Sequence, residues 1–550
     1  MVESGTNRDK KKRKSVARSA AGCITCKSVI SHTVLILSPN PTVLTRVRVR
    51  HIKCDEQKPS CYNCLKSSRQ CDGYSTGGHR MEQASVKIVH WKPTALALHR
   101  LSVDLAGEQE ERRAFHFFRS YSVRAMQGYF DSEFWSRLVL QASYTEPTIR
   151  HAVIALGSLH ETTQNKDSAV RKAGKAYDKF ALQQCNKAIA NLTQGLCARG
   201  QRSIEVLLMS CALFVCFEIL QGNYESALTH MESGVRMYRN WQAENGNSGP
   251  HISSGSCHIL DKEIVQIFSR LNLQVLMFPD THLVGKDFYT TNVNPLIEPP
   301  PKSFSCLKEA RDRLDNCMSY IFESLIVAYF SGQDFVNHTQ KLSQEHQTYH
   351  TLLSQWSLLF DAFMRSSGAD LGPEDRQRAG LLEIQYKVAI ILFATGMSPP
   401  ETAFDAFNSD FDSIVAVTSS LVVDNQGSGI LKRTGQFSFD MGVIPPLYFT
   451  ASRCRDPSIR RRALSILSAN SHQEGVWNSD MLAKIAERLI CIEEDGIERV
   501  VSSDDVPATS RVSVLNATIY SEQRRVLLEL CRPKGNVNGE LDLLDEWVTL

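Results

Sequence analysis

From about residue 108 to about residue 493, apolar positions recur every three to four residues, the mark of helices that bury one face. Residues 108–129 carry Ala114, Phe117, Phe118, Tyr121 and Ala125 on such a face. Glu146-Pro147-Thr148 predicts a helix running to His160, with proline in the first turn, where its missing N–H costs nothing. Residues 168–192 align Ala169, Ala173, Ala176, Tyr177, Phe180 and Ile189. Further helices are expected at about 203–220, 224–240, 262–277, 305–332, 343–364, 374–395, 458–470 and 479–493. Alternating strand patterns are scarce. The expected fold is mainly α, with a large all-helical domain over residues 108–550 arranged as an array of helical hairpins.

The residues ahead of 108 read differently. Residues 1–20 are polar and basic, and are expected to be a disordered tail. Residues 21–75 hold closely spaced cysteines, and residues 76–107 read as a linker. No heptad repeat follows the cysteines, so nothing there fixes a coiled-coil dimer, and a homodimer stays open.

Charge sharpens this division. Residues 1–80 hold 16 Lys and Arg against 5 Asp and Glu, a net of +11. The remaining residues hold 46 against 54, a net of −8. A basic head on a mildly acidic body points to a polyanion-binding module joined to a globular region. The chain opens on charged residues with no apolar stretch of the signal-peptide kind. The most apolar run, residues 206–220, spans 15 residues and includes Glu218, so a buried core helix is expected, not a membrane span. Ten of the 16 cysteines are scattered, several in apolar helical patterns such as Cys211 and Cys216. That is how reduced, buried thiols are distributed, and the expectation is an intracellular protein.

The other six cysteines carry the chemistry. They read Cys23-x2-Cys26 and then Cys54-x6-Cys61-x2-Cys64-x6-Cys71. A two-residue gap lets both thiolates of a pair face one zinc ion at about 2.3 Å. Residues 50–74 have almost no apolar side chains from which to build a core, so metal must supply the folding free energy there. The run Lys10-Lys11-Lys12-Arg13-Lys14 ahead of the cysteines reads as a nuclear import signal that also contacts phosphates.

Gly22-Cys23-Ile24-Thr25-Cys26-Lys27, Val49-Arg50-His51-Ile52-Lys53-Cys54-Asp55-Glu56, Pro59-Ser60-Cys61-Tyr62-Asn63-Cys64 and Cys71-Asp72-Gly73-Tyr74 resemble the fungal binuclear zinc cluster transcription factors. The resemblance implies two zinc ions on six cysteines. Cys23, Cys26, Cys54 and Cys61 would hold one ion, and Cys23, Cys61, Cys64 and Cys71 the other. Six thiolates make two tetrahedral sites by such sharing. It also implies a short helix in the major groove of double-stranded DNA, at CGG-type triplets. Arg50 and His51 would read bases there, and Lys27 and Lys53 would mainly hold phosphates. Residues 146–157, Pro445-Pro446-Leu447-Tyr448-Phe449, Cys454-Arg455-Asp456-Pro457 and Gln473-Glu474-Gly475-Val476-Trp477 resemble the same family's helical regulatory region.

One departure is large. The family has six residues between its second and third cysteines, and this chain has 27. Joining Lys27 to Val49 restores the family pattern, which isolates residues 28–48 as an apolar, β-branched insertion containing Pro39 and Pro41. It reads as a retained intron of 63 nucleotides in frame, the alternative being a real loop of the domain.

No nucleophile elbow, phosphate loop or dinucleotide fingerprint is present, and Gly427-Ser428-Gly429 has no phosphate-loop context. His116, His151 and His160 sit in helical patterns and read as structural. An all-thiolate zinc site has no open position for water, so an enzyme is not expected and no catalytic residue is assigned. The expectation is a nuclear, zinc-dependent, sequence-specific DNA-binding regulator of RNA polymerase II transcription. Its partners would be DNA and the transcription machinery or co-regulators, with no membrane. The alternative is a helical interaction protein that does not bind DNA, its cluster disabled by the 28–48 insertion.

Overall fold

The computed structural model divides the chain into two units, Met1–Val86 and Lys87–Leu550. It describes residues 107–164, 179–199, 203–245, 257–278, 301–331, 335–395, 400–423, 437–469, 471–535 and 540–550. The expectations for the basic tail, the cysteine segment, its insertion and the linker up to residue 106 lie outside the described residues, as does the loop at 427–429.

The described part is helical over most of its length. Its α-helices are α1 (Gln109–Phe117), α2 (Val123–Gln127), α3 (Val139–Thr145), α4 (Pro147–Gln164), α5 (Lys179–Arg199), α6 (Ile204–Gln221), α7 (Tyr224–Asn245) and α8 (Cys257–Met277). After these come α9 (Leu307–Ser331), α10 (Phe335–Ser367), α11 (Pro373–Thr395), α12 (Asn408–Val423), α13 (Ile444–Arg453), α14 (Pro457–Ala469) and α15 (Ser479–Glu493). Successive helices pack on one another: α4 with α5, α6 with α7, α8 with α9, α11 with α12, and α13 with α14. This is the hairpin array that the three-to-four spacing predicts. A single apolar core runs through it, from Ala114 on α1 to Val548 near the last residues.

Local chemistry sets the helix ends. Pro147 opens α4 in its first turn, as expected. The Arg150 guanidinium then reaches back to the carbonyls of Ser143 (3.0 Å) and Tyr144 (2.7 Å), satisfying orphan groups at the end of α3. Helix α6 is 18 residues long with mean hydropathy 2.0, three residues longer than the apolar run alone. By length and composition it could cross a membrane, but 78% of it is buried inside the helical array. It is apolar over most of its surface because α4, α7 and α8 pack against it.

Two small sheets were not anticipated. The first joins β1 (Phe437–Ser438), β2 (Gln473–Glu474) and β3 (Trp477–Asn478), with β1 parallel and β3 antiparallel to β2. The second is an antiparallel meander of β4 (Ser513–Tyr520), β5 (Arg525–Pro533) and β6 (Leu541–Thr549), with β5 central. The described part is mainly α, but after α15 it holds no α-helix, only two single 3-10 turns and the second sheet. Its strands are rich in leucine and glutamate, such as Leu527-Leu528-Glu529-Leu530, and those residues read as helix formers.

Candidate functional site

Every residue assigned to zinc, DNA or nuclear import lies outside the described residues: Cys23, Cys26, Cys54, Cys61, Cys64, Cys71, Lys27, Arg50, His51, Lys53, and Lys10 to Lys14. The chemistry of the donor set can still be judged. Six thiolates, four of them in two Cys-x2-Cys pairs, are a soft, all-sulfur set, which suits zinc. Among the described residues, no group of three or more His, Cys, Asp or Glu could hold a metal ion.

The helical region has a buried polar centre, and the segments that carry the family resemblance build it. Glu474 on β2 is fully buried. Its carboxylate accepts the backbone N–H groups of Gly442 (2.8 Å), Val443 (3.0 Å) and Ile444 (2.9 Å), the two residues before α13 and its first. Tyr129 donates its hydroxyl to the same carboxylate at 2.6 Å. A charged acceptor at a helix N-terminus satisfies orphan donors and complements the helix dipole. Burial, and then the Glu474 charge, push the Tyr129 hydroxyl well above its ordinary range, so it stays a donor.

Two glycines make this contact possible. A Cβ on Gly442 would lie 2.0 Å from the Tyr129 ring. Gly475, at φ +54°, turns the chain from β2 to β3, and a Cβ there would meet the Gln274 side chain at 1.8 Å. Gln274 itself donates to the Phe439 carbonyl at 2.8 Å, and Tyr224 donates to Gln473 at 2.9 Å. Helices α7 and α8 and the residues after α2 therefore all lock onto the first sheet.

A second buried cluster ties the segments around α14 and α15. Arg455, fully buried, pairs with Glu493 at 2.5 Å and Glu401 at 2.9 Å. Arg460, also fully buried, pairs with the other oxygen of Glu493 at 2.8 Å. Burial pulls the Arg455 pKa down, but the carboxylates of Glu493 and Glu401 outweigh it and raise the net value. At Arg460 burial prevails and lowers it. A third cluster pairs Arg270 with Asp312 (2.7 Å) and Asp315 (3.1 Å), and Arg311 with Asp440 (2.7 Å). These pairs join α8, α9 and the segment before α13. Each carboxylate is matched by a guanidinium or by hydrogen bonds, the pattern of a structural network.

The histidines behave in the same way. His160 is buried, 2.8 Å from the Ser122 hydroxyl, and burial lowers its pKa to about 4. His151 bonds Gln184 at 2.7 Å. Cys211 and Cys216 are buried free thiols; burial pushes Cys211 up to about 12 and raises Cys216 well above its ordinary range. A cavity of about 20 Å³ lies beside Met277, Met318 and Met441, with Asp315 and Gln385 on its wall. It has room for one water and none for an organic ligand.

Comparison with known proteins decides what this arrangement belongs to. The family described as fungal specific transcription factor domain matches residues 113–269. The fungal Zn(2)-Cys(6) binuclear cluster domain matches residues 47–78. The chain carries both domains of the fungal zinc cluster transcription regulators. The chain is 24% identical to the aspercryptin biosynthesis cluster-specific transcription regulator atnN of Emericella nidulans, over 95% of this chain and 96% of that protein. It is 25% identical to the transcription regulator lscL of Purpureocillium lilacinum, over 42% of this chain and 57% of that protein. It is 42% identical to white-opaque regulator 2 of Candida albicans over 9% of this chain and 11% of that protein. No solved structure matches it. The zinc cluster match begins at Val47 and takes in Cys54, Cys61, Cys64 and Cys71. Cys23 and Cys26 lie before it, on the far side of residues 28–48.

Proposed function

We propose that this regulator works in the nucleus as a zinc-dependent, sequence-specific DNA-binding controller of RNA polymerase II transcription. The observation that carries the reading is the pairing of a zinc cluster domain with a fungal transcription factor domain in one chain. Residues 21–75 are the DNA-reading module, joined by residues 76–107 to a regulatory region at 108–550. Cys23, Cys26, Cys54, Cys61, Cys64 and Cys71 would hold two zinc ions. When bound, the zinc supplies the folding free energy that this core-poor segment cannot supply itself. Lys10 to Lys14 direct import.

The helical region has no catalytic role in this reading. Among the described residues, Arg455, Arg460, Glu401 and Glu493 are matched to one another, and the cavity beside Met277, Met318 and Met441 is too small for a substrate. Its part is to govern transcriptional output and recruit co-regulators.

Arg50 and His51 read CGG-type triplets, while Lys27 and Lys53 hold phosphates. An arginine that bonds guanine O6 and N7 together contributes about 1–3 kcal/mol of discrimination. Arg50→Ala therefore relaxes sequence preference about ten-fold or more. Lys53→Ala weakens all duplexes alike and flattens the salt dependence. Binding isotherms on CGG-containing and scrambled duplexes at two salt concentrations separate the two effects. An unchanged preference in Arg50→Ala contradicts the assignment.

The alternative, a helical interaction protein that does not bind DNA, has one observation in its favour: residues 28–48 separate Lys27 from Arg50 and His51. Sequencing transcripts across this position tells whether the mature protein contains those residues.

A further inference from the structure

The C-terminal meander ends in an edge strand that no described residue covers. Strand β6 pairs with β5 alone among the described residues. The Lys534 N–H donates to the Glu540 carbonyl at 2.9 Å, and the Leu550 N–H donates to the Arg524 carbonyl at 2.8 Å. Both bonds follow the β5–β6 register, and antiparallel pairs alternate between bonded and non-bonded. The even-numbered residues of β6 therefore bond to β5. Leu541, Leu543, Asp545, Trp547 and Thr549 turn their N–H and C=O groups outward.

The side chains obey the same alternation. Val548 is buried and Glu546 pairs with Arg488 of α15 at 2.8 Å, so the even face packs inward. The odd face is open: Leu541 is 57% exposed, Leu543 69% and Trp547 49%. Tyr520, also exposed, lies 5.4 Å from Trp547, ring to ring. The opposite edge of the sheet, on β4, is broken by a register shift between Val514 and Asn516. A bulge of that kind blunts an edge against pairing. Strand β6 has nine residues with no bulge, proline or lysine.

Charge selects what fits this edge. Asp545 stands directly across from Glu529, and like charges opposite each other on a sheet destabilise it. Asn516 donates to Glu529 at 2.5 Å, while Asp545 makes no ion pair among the described residues. A second copy added antiparallel about this point would set Asp545 against its own image and double the repulsion. A cation opposite Asp545 would relieve it.

We propose that β6 is a docking edge for an extended segment of another protein, added as a fourth strand. That segment carries Lys or Arg opposite Asp545 and apolar side chains two residues to either side, over Leu543 and Trp547. Main-chain hydrogen bonds supply affinity and the alternate side chains supply specificity. The pattern is symmetric about its cation, so it fits in either strand direction.

The test uses the full chain and two labelled peptides, Ser-Val-Thr-Lys-Thr-Val-Ser and the same sequence with Glu in place of Lys, read by fluorescence anisotropy. The wild type favours the lysine peptide about ten-fold, and Asp545→Lys reverses that preference. Asp545 is exposed, so this variant keeps the fold. Methylating all the backbone nitrogens of the lysine peptide abolishes binding, because none can then donate to β6 in either strand direction. No binding, a preference that Asp545→Lys leaves unreversed, or equal binding of the methylated peptide overturns the proposal. So does a dimer in sedimentation that Trp547→Lys dissolves, since the occupant would then be a second copy.

Discussion

Glu474 gathers four donors onto one carboxylate, three from residues 442–444 leading into α13 and one from Tyr129. Glu474→Gln removes the charge and turns an N–H toward groups that already donate. It should destabilise the chain by about 3 kcal/mol, read as a lower urea midpoint at unchanged slope. An unchanged midpoint would mean that the carboxylate does not hold the helix end. His160 sets a dependence on acid. Its pKa is lowered from 6.5 to about 4 by burial, so the unfolded chain binds its proton first. The stability from keeping it neutral is complete above pH 6.5 and is lost as pH falls toward 4, by about 3 kcal/mol in all. Thermal melts across that window should show the loss, and His160→Asn should flatten it. These roles were only partly legible in the sequence. Glu474 and Gly475 stood out through a family likeness, but nothing local says that their partners are Tyr129 and residues 442–444, which are distant in the chain.

At the scale of elements, spacing identified the long amphipathic helices, and α15 falls on the expected 479–493. Helix α13 was not among the expected helices; Pro445 and Pro446 stand in its first turn, where they lack only N–H groups that the helix does not use. Helix α12 escaped because Ile414-Val415-Ala416-Val417 is rich in β-branched residues, and tertiary burial overrides that preference. The meander escaped because its β4–β5 turn carries Arg524 at φ 53°, a place where glycine or asparagine would have signalled a hairpin. Helix α6 tests the array directly. Phe217 is buried toward its C-terminal end, and Phe217→Ala should cost about 3–5 kcal/mol. A loss under about 1 kcal/mol, the level of a surface change, would contradict the placement of α6 at the core.

At the scale of the molecule, a basic head with six cysteines, proposed to hold zinc, precedes a helical region whose buried Arg270, Arg311, Arg455 and Arg460 are each matched by carboxylates. The expected loop between the second and third cysteines grows from 6 to 27 residues. Closing the longer loop costs about 1.3 kcal/mol. That is small beside the roughly 10–16 kcal/mol of a structural zinc site. DNA reading is more exposed, because Pro39 and Pro41 cannot continue a helix from Cys26 toward Arg50. The decisive measurement is equilibrium binding of the full chain, with and without residues 28–48, to a duplex carrying CGG triplets and to a scrambled duplex, each with and without a zinc chelator. The account predicts that the form lacking 28–48 prefers the CGG duplex, that the chelator abolishes this, and that the longer form binds more weakly. If neither form distinguishes the duplexes, or if chelation changes nothing, the assignment as a zinc-dependent DNA reader is wrong.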